Sequence, residues 1–121
     1  MATTSKEVLV IDDEPAVRDV LKRILQQSGY IVTCAVDGRE ALELVHAGGA
    51  PDLIILDLNM PVMSGFEVLS AMRVNPKWEK IPVIVMSGTK GFSAGHLGVI
   101  ACIEKPFDIE DVRATVGAAL V

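Results

Sequence analysis

The chain has 121 residues, half of them hydrophobic, and 11 basic against 16 acidic side chains give it a net charge of −5. That length and apolar content fit one self-sufficient core and exclude a disordered or fibrous chain. An acidic chain with no run of Lys or Arg is a poor match for direct nucleic-acid or anionic-membrane contact, which leaves cation binding and protein binding.

The first residues, Met1 to Glu7, lack the apolar stretch of a signal peptide, and no run approaches the ~20 apolar residues that cross a bilayer. A cytoplasmic location is therefore expected, with Cys34 and Cys102 as reduced thiols, since they are not spaced as zinc ligands.

Short apolar runs alternate with helical patterns, the arrangement of parallel strands joined by crossover helices. Val8 to Ile11 reads as a first strand. Pro15 suits a first helical position, and Val17, Val20, Leu21, Ile24 and Leu25 continue an apolar stripe that stops at Ser28-Gly29. Ile31 to Ala35 is expected as a second strand, Gly38 to Ala47 as a second helix, and Leu53 to Leu56 as a third strand buried on both faces. Ser64 can cap a third helix carrying Phe66, Leu69 and Met72, and Val83 to Met86 forms the fourth strand. Between it and a short fifth strand at Ala101 to Ile103, four glycines at 88, 91, 95 and 98 disfavour a long helix; a short one is expected near Phe92 to Leu97. A last helix starts from Asp108, with Asp111 placed to complete a capping box. The whole is one domain over 1–121, with its core from about 7 to 120.

In open parallel sheets ligands bind at the carboxyl ends of the strands. The residues found there are Asp12, Asp13, Asp57, Ser87 and Lys105. A single Asp at a strand end is ordinary turn or cap chemistry. Several strand ends delivering carboxylate, hydroxyl and ammonium together are not. Each close pair of carboxylates repels by about 4 kcal/mol at an effective dielectric of ~20. One divalent cation together with Lys105 would balance the three, and an all-oxygen site open to water suits Mg²⁺ completed by a phosphate. Asp57, directly after the central strand, is then placed to attack phosphorus, with the cations stabilising the charge on the transferring oxygens.

Those residues lie in Val10-Ile-Asp-Asp-Glu14, Leu56-Asp-Leu-Asn-Met-Pro61 with Gly65 following, Val85-Met-Ser-Gly88, and Glu104-Lys-Pro-Phe107. In these motifs, over roughly Glu7 to Leu120, the chain closely resembles the receiver domain of two-component response regulators. The resemblance implies a flavodoxin-like, doubly wound α/β fold, a (βα)5 chain with a five-stranded parallel sheet in the order 2-1-3-4-5. It implies Asp57 as the phosphoacceptor, and Mg²⁺ held by Asp13, Asp57 and the Asn59 backbone carbonyl, with Asp12 acting through water. Ser87 would be the switch hydroxyl and Lys105 would pair with a phosphoryl oxygen. The bond between Lys105 and Pro106 is expected to be cis. The partners implied are a sensor histidine kinase or phosphotransfer protein and a downstream protein target. The implied strand order also puts Cys34 and Cys102 about four strand spacings apart, ~19 Å, too far for a disulfide.

Two features depart from the resembled pattern. Cys102 stands where such domains commonly carry Tyr or Phe, and the stretch from Ser87 to Lys105 is short and glycine-rich. Phosphorylation is accordingly expected to act by ordering Thr89 to Val99 rather than by turning an aromatic ring. Two other readings compete. A Mg²⁺-dependent phosphohydrolase of the haloacid-dehalogenase type would want an acid at position 59, where Asn stands. A pseudo-receiver that binds partners without phosphate is disfavoured by the complete set of site residues. His46, His96, Trp78, Met60, Met63, Met72 and Glu14 carry no assigned role.

Overall fold

In a computed structural model, residues 5–60, 63–88 and 98–120 are described. Five strands, β1 (Glu7–Ile11), β2 (Ile31–Ala35), β3 (Leu53–Asp57), β4 (Val83–Ser87) and β5 (Val99–Glu104), form one parallel sheet in the order β2-β1-β3-β4-β5. Among the described residues four helices accompany them: α1 (Pro15–Gln27), α2 (Gly38–His46), α3 (Gly65–Arg73) and α4 (Ile109–Ala119). This is the flavodoxin-like doubly wound order. The expected helix near Phe92 to Leu97, His96 and most of the Thr89 to Val99 segment lie outside the described residues.

The apolar runs of β1, β3 and β4 are continuous because both faces of the sheet are covered. Leu9, Ile11, Ile54, Leu56, Val83 and Val85 pack with Val45, Leu69, Met72 and Trp78 on the side of α2 and α3. Their neighbours Val8, Val10, Leu53, Ile55, Ile84 and Met86 pack with Leu21, Leu25, Val112 and Val116 on the side of α1 and α4. The period of two thus sorts one strand into two separate clusters. Register follows across the centre, with Val10 opposite Ile55 and Ile55 opposite Ile84.

Helix starts obey local chemistry. Pro15 occupies the first turn of α1. The Asp37 carboxylate accepts the Glu40 N–H at 2.9 Å, and the Ser64 hydroxyl accepts the Glu67 N–H at 3.3 Å. At α4 the expectation needs correcting. Asp108 does cap the helix, but its carboxylate accepts the N–H of Glu110, at 2.7 Å, and not that of Asp111, so no capping box closes. At Asp108 the carboxylate takes the second helical N–H, where at Asp37 it takes the third.

Strand β5 begins two residues earlier than its apolar run suggests. It lies at the edge, Ile100 and Cys102 face outward, and the register slips between Val83 and Ile84, so Ile100 is the extra residue of a bulge. Trp78, in the loop before β4, is buried, and its indole N–H donates to the Gly49 carbonyl at 2.8 Å. It is a core residue, as are Met60 and Met72, while His46 is exposed. Cys34 on β2 and Cys102 on β5 are free thiols on opposite edges of the sheet. Among the described residues no helix is long and apolar enough to cross a membrane.

Candidate functional site

The carboxyl ends of β1, β3, β4 and the residue after β5 converge on one point. Asp12 follows β1, Asp57 ends β3, Ser87 ends β4 and Lys105 follows β5. Asp12, Asp57 and Ser87 are the buried polar or charged residues among those described, and Asp13 is half-buried beside them. Asp12, Asp13 and Asp57 each offer a carboxylate oxygen within 4.8 Å of the others.

Two of these carboxylates are held by the same device. Asp12 Oδ1 accepts the Glu14 N–H at 2.9 Å, and Asp57 Oδ1 accepts the Asn59 N–H at 3.0 Å. Each is a side chain capturing the backbone two residues on, a natural way for Asp to leave a strand. Each therefore turns its other oxygen toward Lys105, whose Nζ stands 2.8 Å from Asp12 Oδ2 and 3.4 Å from Asp57 Oδ2. Glu14 reaches the same ammonium at 3.6 Å from its exposed position.

The backbone around them is pinned from several sides. Asp12 donates its N–H to Ala35 and its carbonyl accepts from Arg18 Nη1 at 2.8 Å. Leu58 N–H donates to the Met86 carbonyl, and Lys105 N–H donates to the Ser87 carbonyl at 2.9 Å, tying the ends of β3, β4 and β5 together. The bond between Lys105 and Pro106 is cis, as expected. Gly65 lies directly against the main chain of Asp57 and Leu58, where a Cβ would collide with the Asp57 carbonyl oxygen.

Burial pushes the Asp57 carboxyl from 3.8 up to about 6, opposed by the Asn59 N–H and by Lys105 and reinforced by Asp12 and Asp13. Burial alone would lower Lys105, but its contacts with Asp12 and Asp57 outweigh that and raise it above its ordinary value. The charged ammonium is thus secured by the two carboxylates it neutralises. A positive charge is still owed to the cluster, and an all-oxygen donor set of this compactness fits a hard divalent ion such as Mg²⁺.

A model of the response regulator receiver domain matches residues 8–117. The chain belongs to that family. Among curated relatives, the receiver resembles the response regulator MprA of Mycolicibacterium vanbaalenii, 38% identical over 117 residues that make up 93% of this chain and 49% of that protein. It also resembles the probable transcriptional regulator ycf27 of Guillardia theta, 34% identical over 97% of this chain and 46% of that protein. The receiver spans about half the length of these curated relatives. Among solved structures it is similar to the chemotaxis response regulator CheY4 of Vibrio cholerae, with a TM-score of 0.88 and 32% identity over 96% of this chain and 99% of that one. The response regulator TrrA of Thermotoga maritima, solved with Mg²⁺ and a beryllium fluoride, gives a TM-score of 0.81 at 32% identity, covering 94% and 98% of the two chains.

Asp12, Asp13, Asp57, Ser87 and Lys105 are brought to this one end of the sheet, with Asn59 bonded to Asp57 through its N–H, and Asp12 lies nearer to the Lys105 ammonium than Asp57 or Glu14 does. Sequence reasoning named Asn59 for its backbone carbonyl and its position but missed its side-chain contact, in which Nδ2 donates to Ser87 Oγ at 3.3 Å. It also missed Arg18, one turn into α1, which holds the Asp12 carbonyl. Asn59 and Ser87 stand 28 positions apart and meet only in the fold, whereas Arg18 is six residues from Asp12, across the turn from β1 into α1.

Proposed function

We propose that the receiver accepts a phosphoryl group on Asp57 from the phosphohistidine of a sensor kinase or phosphotransfer protein, with Mg²⁺ as cofactor, and thereby changes its affinity for a downstream protein. The observation that carries this reading is the Lys105 ammonium bridging Asp12 and Asp57 beside a third carboxylate. Asp13, Asp57 and the Asn59 backbone carbonyl would hold the metal, with Asp12 behind them. Bound there, the ion would offset the charge of the phosphoryl oxygens and of the acids that face them.

In the transfer the phosphorus–nitrogen bond of the donor imidazole breaks and a bond from an Asp57 carboxylate oxygen to phosphorus forms. Asp57 is suited to this because the Asn59 N–H fixes one oxygen and so orients the carboxylate. Lys105 supplies positive charge to the arriving oxygens, and Ser87 supplies a hydroxyl donor. The receiver acts only on its own phosphorylation and dephosphorylation, so it is not an enzyme that turns over a separate substrate. We place this exchange in the cytoplasm. Nucleic-acid binding is not proposed for these residues, whose net charge is −5.

The test is incubation with acetyl phosphate and Mg²⁺ followed by intact mass. One phosphoryl addition, lost in Asp57→Asn and in the presence of a chelator, is the expected result. No addition to the native chain would favour a phosphate-independent binding module, and multiple turnover of a generic phosphate ester would favour a phosphohydrolase.

A further inference from the structure

Asp12, Asp13 and Asp57 are not held alike. The carboxylates of Asp12 and Asp57 each capture the backbone N–H two residues on, and each turns its other oxygen toward Lys105. Among the described residues the Asp13 carboxylate accepts no backbone N–H, although it lies within the same 4.8 Å as the other two. Its place is therefore set by the main chain that carries it.

That main chain leaves the sheet at Asp12. The Asp12 N–H donates to the Ala35 carbonyl, one position past the last pair of β1 and β2, Ile11 with Ala35. Beyond it β2 ends and the chain turns into α2, where the Val36 N–H is taken by Glu40 Oε1. The Asp12 carbonyl has no further strand residue to bond, and Arg18 Nη1 serves it instead, at 2.8 Å. Arg18 is half-buried on α1, with its own N–H bonded to the Glu14 carbonyl, so its side chain reaches back across the turn from a fixed base. Among the described residues it forms no ion pair, in a chain where acids outnumber bases 16 to 11. A cation beside an acidic cluster that bonds a carbonyl holds backbone and does not neutralise acid.

The Asp12 carbonyl and the Asp13 N–H belong to one planar peptide, so a bond that fixes the oxygen also fixes the direction in which the Asp13 Cα leaves. A charged donor makes that bond stronger than a neutral one would. We propose that Arg18 is a positioning residue for the metal: through the Asp12–Asp13 peptide it sets the Asp13 carboxylate against Asp57, where Mg²⁺ is held. This rests on the reading of the acid cluster as a Mg²⁺ site and adds to it a group on α1 that supplies no ligand. Charge and position make opposite predictions. Arg18 is a cation close to the cluster, so by charge alone it opposes a divalent cation, and its removal should tighten Mg²⁺ binding. By position its removal should loosen it, since loss of a group that orients a metal ligand lowers affinity roughly 10- to 100-fold.

The experiment compares the unphosphorylated native receiver with Arg18→Met and Arg18→Lys, both of which keep helix propensity in α1. Mg²⁺ affinity is read by calorimetric titration, and the ¹³C resonance of the Asp12 carbonyl in Mg²⁺-free buffer reports the hydrogen bond itself. Arg18→Met is expected to shift that resonance and to weaken Mg²⁺ about 10-fold. Arg18→Lys keeps the charge with a different reach, and its Mg²⁺ affinity should follow the resonance: within twofold of native where the resonance is kept, about 10-fold weaker where it is lost. Should Arg18→Met fail to fold, the same pairing of resonance and affinity in Arg18→Lys decides.

Mg²⁺ affinity that is unchanged or tightened in Arg18→Met would overturn the proposal, as would a Lys variant in which resonance and affinity part company. A native receiver that takes up no Mg²⁺ would remove the metal site itself, and this inference with it. A native receiver that binds Mg²⁺ no more tightly than its Arg18→Met variant would remove the inference alone.

Discussion

Replacing Gly65 by Ala puts a methyl group into the backbone that carries the phosphoacceptor. The new Cβ would lie 2.4 Å from the Asp57 carbonyl oxygen, 2.7 Å from Leu58 Cα and 3.1 Å from the Asp57 carbonyl carbon. Ordinary contact begins near 3.4 Å, so α3 and the end of β3 must part by about 1 Å. All three atoms are main chain and cannot rotate away. Overpacking of this kind costs about 1–3 kcal/mol, and a rigid neighbour places it at the upper end. The gain from replacing Gly in a helix returns roughly 0.5–1 kcal/mol, for a net loss of about 2 kcal/mol. With an unfolding entropy of about 2.1 cal/mol/K per residue over this chain, each kcal/mol is worth roughly 4 °C, so Tm should fall by about 8 °C. Two other glycines calibrate the measurement. At Gly38 the Cβ would meet Val68 Cγ2 at 2.7 Å and Met63 Cγ and Sδ at 2.9 Å, side-chain atoms that can yield, so its loss should be about half as large. At Gly88 nothing lies within 4 Å, and Ala should melt within about 2 °C of the native chain. Thermal melts followed by circular dichroism decide the matter. A Gly65→Ala melt indistinguishable from that of Gly88→Ala, or matched by Gly38→Ala, would refute the steric argument.

Three further outcomes follow from particular contacts. The folded-state value of Asp57, about 6, lies above its unfolded 3.8, so the native state binds the proton more tightly and the acid's penalty grows as pH rises between about 4 and 6. In Mg²⁺-free buffer Asp57→Asn should therefore be more stable than the native receiver at pH 7, by at most roughly 3 kcal/mol, with the gap closing toward pH 4; urea melts at the two pH values check this, and a gap that does not narrow contradicts it. Arg73 Nη1 donates to the carbonyls of Trp78, Glu79 and Ile81 at 3.2, 2.8 and 3.1 Å, so Arg73→Met should cost about 2–3 kcal/mol. Because one nitrogen makes all three bonds, Arg73→Lys should recover part of that loss in the same urea melts. Trp78→Phe keeps an aromatic ring in the core but leaves the Gly49 carbonyl without its indole donor, which should cost about 1–2 kcal/mol by circular dichroism melts.

Most of the sheet is readable in the chain because both its faces are buried. Val8 to Ile11, Leu53 to Leu56 and Val83 to Met86 are uninterrupted apolar runs, and uninterrupted burial is what a central parallel strand requires. The edge strand β5 is half legible: Ile100, Cys102 and Glu104 face outward, so its pattern mixes polar and apolar residues and hides the bulge. Helix starts are legible at Asp37, Ser64 and Asp108, each of which caps its helix, but the N–H that the cap takes is not: it is the third at Asp37 and Ser64 and the second at Asp108. Trp78 shows the limit of a loop assignment. Nothing local marks it as buried, and its partner Gly49 lies 29 positions away.

The candidate site divides in the same way. The sequence by itself determined which residue types stand at the strand ends, because a strand that stops at Asp, Ser or Lys says so in one dimension. It also determined how Asp12 and Asp57 leave their strands, since a carboxylate capturing the N–H two residues on is a local event. Only the tertiary structure decided which oxygens meet. Lys105 and Asp12 are separated by 93 positions, and Asn59 and Ser87 by 28, so their contacts depend on the order of strands and on the depth at which each one ends. The shift of Asp57 to about 6 belongs to that second class, because burial, its main cause, is produced by the packed sheet and is not a property of the residue.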